Sequence, residues 1–265
     1  MYSAPTLALK YLQYYFKASN GKGHGMHSPF VFDFIAKVLC DKQHYTEYDK
    51  VEELRQQLLS NKTPLVIKDL GAGSSKTKSD TRSIASLAKN AAKPKKFGQL
   101  LFRLVKYYQP KIILELGTSL GITTSYLSLA KPDRWVITAE GSGEIAEIAR
   151  KNFKELSLSN VELVEGNFDN VLPGILNNSG MIDFAFIDGN HRKEPTLRYF
   201  KQIQSKSGND TILIFDDIHW SREMEEAWKI IKDHPATSCT IDLFFIGIVL
   251  FRKEFHEKQH FSIRF

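Results

Sequence analysis

From Gly98 onward the chain alternates short β-branched apolar runs with segments of helical periodicity, and few folds accept that alternation. The runs are Ile112–Leu116, Trp135–Ala139, Val161–Val164, Ile182–Ile187 and Thr211–Phe215. Helical patterns fall between them at Ile122–Ala130, Glu144–Leu156, Glu194–Gln204 and Arg222–Ile231. Strand, crossover helix and next strand repeated in this way predict a doubly wound α/β domain. A closing apolar pair, around Thr240–Phe245 and Gly247–Phe251, follows the last helix.

The 97 residues ahead of this region read differently. Residues 1 to about 60 are helical in pattern, with Leu7, Tyr11, Leu12 and Tyr15 clustered and Leu54 and Leu58 four apart. A Gly-rich turn, GKGHGMHSPF, interrupts them, and its His24 and His27 read as a loop pair with no acid or thiol close by. Residues 61–97 are polar, small and basic, the text of a linker or cover. The expected organisation is therefore a helical extension with a basic linker over 1–97 and an α/β domain over 98–265. With 265 residues of which 42% are hydrophobic and 25% charged, the chain can bury a core, and disordered or collagen-like classes are excluded.

Two cysteines, Cys40 and Cys239, can make neither a disulfide framework nor a four-ligand zinc site. They point to a reducing compartment. The longest apolar run, LFFIGIVLF at 243–251, is far below the ~20 residues a spanning helix needs. Lys10 and Lys17 break the apolar amino-terminal stretch where a secretory leader would be continuous. A cytoplasmic protein with no membrane partner is the expectation.

The net charge of +6 is unevenly spread. Residues 61–111 hold twelve Lys or Arg against two acids, Asp69 and Asp80. Such a stretch invites an anionic partner, but its lysines are scattered and lack interleaved aromatics. Within it, GAGSSKT at 71–77 has Leu70 and Ser75 where a phosphate loop needs glycines, so triphosphate hydrolysis is discarded.

The chemistry belongs at the carboxyl ends of the strands, where open parallel sheets bind their ligands. The first strand ends in ELGTSLGITTS, in which Gly117 and Gly121 flank a tight turn into a helix. Glycines let a ligand approach the backbone, and the helix start offers unpaired N–H groups. The second strand ends at Glu140, a distance past Gly117 that suits an acid accepting both hydroxyls of a ribose. The alternative for Glu140 is an ordinary helix-capping acid.

These residues resemble the class I S-adenosylmethionine-dependent methyltransferases, and within them the catechol and caffeoyl-CoA O-methyltransferases. The resemblance covers 98 to about 220, beginning GQLLFRLVKYYQPKIILELGTSLGITTSYLSLA. It implies a Rossmann-like sheet of seven strands with the last antiparallel, and S-adenosyl-L-methionine as cofactor. Carried across, Glu115, Gly117 and Thr123 would hold the methionine end, with Gly121 closing the turn. Glu140 would take the ribose and Asp169 the adenine amino group.

The fourth and fifth strands end in FIDGNH and FDDIHW. In the metal-dependent relatives the matching positions hold Mg²⁺, which implies Asp188, Asp216 and Asp217 as ligands. Asp217 departs from the usual Asn and makes the site more anionic. The alternative is that Asp188 hydrogen-bonds the cofactor while Asp216 and Asp217 cap the next helix. His191, where the catechol enzymes carry a lysine, and His219 are candidate proton acceptors. His191 with Asp188 is the first choice for catalysis.

The reading is thus a methyltransferase acting on an oxygen of a small-molecule acceptor, with metal assistance. Its rivals are methylation of RNA through the basic stretch and a cofactor-binding scaffold without turnover. A nicotinamide dehydrogenase is a distant third, because the turn lacks the middle glycine of a dinucleotide loop.

Overall fold

In a computed structural model, residues 1–19, 21, 28–66, 81–90 and 92–265 are described. His24, His27 and the GAGSSKT stretch at 71–77 lie outside them. In chain order the elements open with α1 (Ala4–Lys17), α2 (Pro29–Asp33), a π-helical turn (Phe34–Leu39), α3 (Thr46–Ser60), β1 (Pro64–Val66) and β2 (Thr81–Ser83). There follow α4 (Ile84–Asn90), α5 (Lys95–Tyr108), β3 (Ile112–Leu116), α6 (Ile122–Ala130), β4 (Trp135–Glu140), α7 (Gly143–Glu155) and β5 (Val161–Glu165). The remainder is α8 (Phe168–Asn178), β6 (Ile182–Ile187), α9 (Lys193–Gln204), β7 (Ser207–Asp216), α10 (Arg222–Asp233), β8 (Cys239–Asp242), β9 (Ile246–Leu250) and β10 (Gln259–Ser262).

The α/β alternation expected from Gly98 onward is present, and the chain forms two compact units, Lys42–Asn178 and Met1–Asp41 with Ser179–Phe265. In the 42–178 unit, β3, β4 and β5 are parallel, with Glu115 opposite Thr138 and Glu140 opposite Glu165. Ile113, Leu114, Val136 and Ala139 are buried there, as strands with covered faces require. Helix α5 lies on α6 so closely that a Cβ at Gly98 would stand 2.6 Å from the Tyr126 ring. Tyr126 is fully buried, and its hydroxyl donates at 2.7 Å to Glu52, which also pairs with Arg55. Tyr48 packs edge-on to Phe102 and Tyr126. Helix α3 is thereby part of this unit's core. The described ends of the basic linker are folded too, since β1 and β2 pair antiparallel and α4 packs on α3.

In the other unit, β6 and β7 are parallel, and β9 runs antiparallel between β7 and β8. The expected antiparallel strand is therefore β9. Strand β10, parallel to β8, was not foreseen, because QHFS is half polar and too short to show a period. In the 42–178 unit helix α8 was also missed: its Pro173-Gly174 pair reads as a break, yet the helix runs through it. Helix α1 lays Tyr11 and Tyr14 against Phe244, and the Tyr14 hydroxyl donates to the Ile263 carbonyl.

Candidate functional site

In the 42–178 unit the glycine turn after β3 is a run of left-handed backbone, with φ of 108° at Gly117, 48° at Ser119 and 78° at Gly121. At Gly121 packing adds a second requirement, because a Cβ there would strike the Phe153 ring. The turn is held from three sides. From below, the fully buried Glu115 carboxylate accepts the hydroxyls of Thr138, at 2.6 Å, and Thr124. Asn152 of α7 donates to the Leu120 carbonyl at 2.8 Å. Glu140 accepts the Ser119 N–H with one oxygen and the Ser142 N–H with the other.

Glu140 is not a helix cap. That place belongs to Ser142, whose hydroxyl accepts from Ile145 N–H at the start of α7. Helix α6 begins at Gly121 with no side-chain cap, so the N–H groups of its first turn are available to an acceptor. Thr123 sits in that turn, nearly buried. Asp169 is exposed in the first turn of α8, just after β5, and its own N–H donates to the Asn167 side chain.

A carboxylate oxygen accepts up to two hydrogen bonds. At a strand end beside an uncapped helix start, that donor and acceptor set fits a nucleoside with an anionic tail. Glu115, Gly117, Gly121, Thr123, Glu140 and Asp169 all lie in this one unit. Within it Glu115 stands beneath the turn, whereas Glu140 and Asp169 reach the surface. Asn152 was missed by sequence reasoning, since an asparagine inside a helix carries no signal that it faces inward.

In the other unit, Asp188 after β6, His191 and Asp216 at the end of β7 bring one ligating atom each within 4.8 Å of one another. His191 Nε2 is 3.4 Å from Asp188 Oδ1, and Asp216 is buried. Asp217 is not in the group. Its φ of 53° turns the chain, and its N–H donates to the Phe245 carbonyl at 2.7 Å. Asn and Asp tolerate that left-handed backbone better than other residues, which accounts for an acid at 217 without ligation. Nor do these acids cap α10, because Ser221 does.

One imidazole and two carboxylates depart from the all-oxygen set expected for Mg²⁺ and suit a divalent ion that also accepts nitrogen, such as Mn²⁺. The same arrangement also leaves Asp188 able to orient His191. The indole of Trp220 lies 5.6 Å from the His191 ring. Tyr199 is buried, its hydroxyl accepting from Asn190 at 3.3 Å.

His219 sits apart from this group in a network of its own. Its Nε2 is 2.8 Å from Asp242 and its Nδ1 3.2 Å from Glu225, and its ring stacks on Phe244. Burial opposes its charge, but the hydrogen bond and charge of Asp242, with those of Glu225, outweigh burial and raise its pKa. Tyr2 and Lys10 of the amino-terminal segment also bind Glu225, at 2.7 and 2.9 Å. Arg103 is buried, and burial lowers the pKa of Lys96.

Residues 114–218 match a protein-family model described as a methyltransferase domain. A catechol O-methyltransferase of Niastella koreensis is 34% identical over 124 residues, 46% of this chain and 55% of that protein. The match thus spans about half the length of that relative. An O-methyltransferase from Bacillus cereus, solved with S-adenosylhomocysteine, superposes with a TM-score of 0.56 at 22% identity over 83% of this chain and 97% of that one. The methyltransferase PaMTH1 of Podospora anserina, also solved with S-adenosylhomocysteine, gives 0.60 at 14% identity over 85% and 97%. TomG of Streptomyces achromogenes, an O-methyltransferase of tomaymycin synthesis solved with S-adenosylmethionine, gives 0.55 at 19% over 84% and 96%. These likenesses establish the Rossmann-like methyltransferase fold.

Proposed function

We infer that this chain, a relative of the class I S-adenosylmethionine-dependent methyltransferases through residues 114–218, transfers a methyl group to an oxygen of a small-molecule acceptor. The observation that carries the reading is the pair of backbone hydrogen bonds that set the Glu140 carboxylate beside the glycine turn. The cofactor supplies an electrophilic methyl on a sulfonium. Glu140 takes the ribose hydroxyls, Asp169 the adenine amino group, and the first N–H groups of α6 with Thr123 the carboxylate of the methionine end. Glu115 acts from beneath by holding Thr124 and Thr138.

Methyl transfer asks mainly for position and for a deprotonated nucleophile. In this reading His191, oriented by Asp188, accepts the proton of the acceptor hydroxyl. A divalent ion held by Asp188, His191 and Asp216 would instead acidify that hydroxyl directly, and the two roles exclude each other at His191. In this reading residues 98–265 carry the catalytic groups, with α3 packed into the core of the same unit as the glycine turn, and 1–97 with their basic linker shape access for the acceptor. In this reading the protein works in the reducing cytoplasm, which its two unpaired cysteines support. Among the described residues no helix is long and apolar enough to cross a membrane.

Calorimetric titration of S-adenosylhomocysteine into wild type and Asp169→Ala, followed by an acceptor screen for cofactor turnover, tests this. Binding weakened in the variant, with turnover on a hydroxylated acceptor, is expected. Tight binding with no turnover on any acceptor would favour the scaffold reading, and absence of binding would overturn both.

A further inference from the structure

Helix α1 is apolar on two opposite faces. Its inner face, Leu7, Lys10, Tyr11 and Tyr14, is half-buried, with Tyr11 and Tyr14 on Phe244 and Lys10 paired to Glu225. At 100° per residue, Pro5, Leu9, Leu12 and Phe16 form one stripe on the side directly away from those four. That stripe is bare: Leu9 is 58% exposed, Leu12 51% and Phe16 76%, and no residue of the helix is buried. Tyr15, 44% exposed, flanks it. A helix on a water-exposed surface carries polar residues outward, so this stripe needs an occupant.

Charge narrows the choice. No acid precedes Asp33; Lys10 is taken up by Glu225 on the inner face, and exposed Lys17 lies on the flank between that face and the stripe. Arg264 stands over the Tyr15 ring, 4.7 Å from its centroid. Two copies of the helix packed stripe to stripe would bring their Lys17 flanks together with no acid of α1 to answer them. The bare side chains also offer only roughly 400 Å², half of the ~800 Å² per partner of a stable protein interface. The stripe is convex, so a protein partner would need a groove shaped to it. A lipid interface adapts to a convex apolar helix and rewards a basic rim when its headgroups are anionic.

We propose that α1 is a membrane-surface helix, which lays Leu9, Leu12 and Phe16 into the acyl boundary of an anionic lipid leaflet while its inner face stays on the protein. Such a helix lies in the interface and needs no spanning length. The proposal is independent of the methyl-transfer reading.

Flotation of the full chain with vesicles of phosphatidylglycerol and phosphatidylcholine, against phosphatidylcholine alone, tests it. Wild type floats with the anionic vesicles, less so at high salt. The double variant Leu12→Ser, Phe16→Ser loses at least tenfold in partitioning, and Lys17→Ala about fivefold. All three positions are exposed, so thermal melts should be unchanged, and Leu9→Ser serves as a second variant if the double one melts early. Three results would overturn the proposal: no flotation of wild type, equal flotation of the apolar variants, or a dimer by light scattering that the double variant turns into monomer. The last would assign the stripe to a second copy of the chain.

Discussion

Glu140 accepts the backbone N–H of Ser119 at 2.8 Å while its other oxygen accepts that of Ser142 at 3.0 Å. One acid at the end of β4 therefore sets both the glycine turn and the start of α7. Glu140→Ala should weaken S-adenosylhomocysteine binding by about fivefold to 150-fold, the ~1–3 kcal/mol of a charged hydrogen bond. Glu140→Gln, which keeps one carbonyl acceptor, should fall between. Calorimetry beside a thermal melt separates lost affinity from lost stability. Unchanged affinity in a folded Ala variant would remove Glu140 from the cofactor site.

The Asp188–His191–Asp216 group makes a prediction that separates it from the sequence-based ligand set. If the ion binds there, Mn²⁺ should bind stoichiometrically, Asp216→Asn should lose most of that affinity, and Asp217→Asn should retain it. Electron paramagnetic resonance of free Mn²⁺ measures this. Loss through Asp217 would restore the acidic triad, and no binding to wild type would leave His191 as the base.

Gly98→Ala should cost about 1–3 kcal/mol, because the new methyl meets the Tyr126 ring across α5 and α6 with no room to shift. A smaller side chain at 126 should relieve it. In denaturant melts, Tyr126→Leu in the Gly98→Ala background should cost less than Tyr126→Leu alone, since the two sites share one space.

Glu225 sets part of the acid limb of stability. Burial pushes its pKa up, but hydrogen bonds from Tyr2, Lys10 and His219 outweigh burial and hold it below the ordinary carboxylate value. A lowered folded pKa means that the stabilisation is complete above about pH 4.3, the unfolded value, and is lost as pH falls through the folded one. Tyr2→Phe with Lys10→Met should lower stability at pH 7 and flatten its decline below pH 5. An unchanged acid limb in chemical denaturation at stepped pH would show that the network carries no such linkage.

The two cysteines should differ sharply in reactivity. Burial pushes the Cys239 thiol up to about 12, whereas Cys40 is exposed, donating to the Gly21 carbonyl. Thiolate is the reacting form. A disulfide-exchange reagent at pH 8 should titrate one thiol in the native protein and two after unfolding.

Several features were legible in the sequence because their signals are local. The runs at Ile112–Leu116, Trp135–Ala139, Val161–Val164 and Ile182–Ile187 are strands within one residue of the expected ends, whereas β7 begins four residues before the expected Thr211 and β8 ends three before the expected Phe245. Gly117, Gly121 and Glu140 could be tied together because a fixed strand–helix–strand unit separates them, and that unit leaves little freedom in where its ends fall. Helix α8 and strand β10 were illegible for the opposite reason. A Pro-Gly pair inside a helix and a four-residue strand are sustained by neighbours distant in sequence.

The sequence by itself determined the alternation of elements and the residue types at each strand end. Only the tertiary structure decided what those residues do. It buried Glu115 under the turn, gave Glu140 two backbone partners, seated His191 rather than Asp217 with Asp188 and Asp216, and linked Lys10 to Glu225 across more than two hundred residues. The physical reason is range. Periodicity and turn chemistry act over a few residues, whereas burial and side-chain pairing depend on which distant segments fold onto one another.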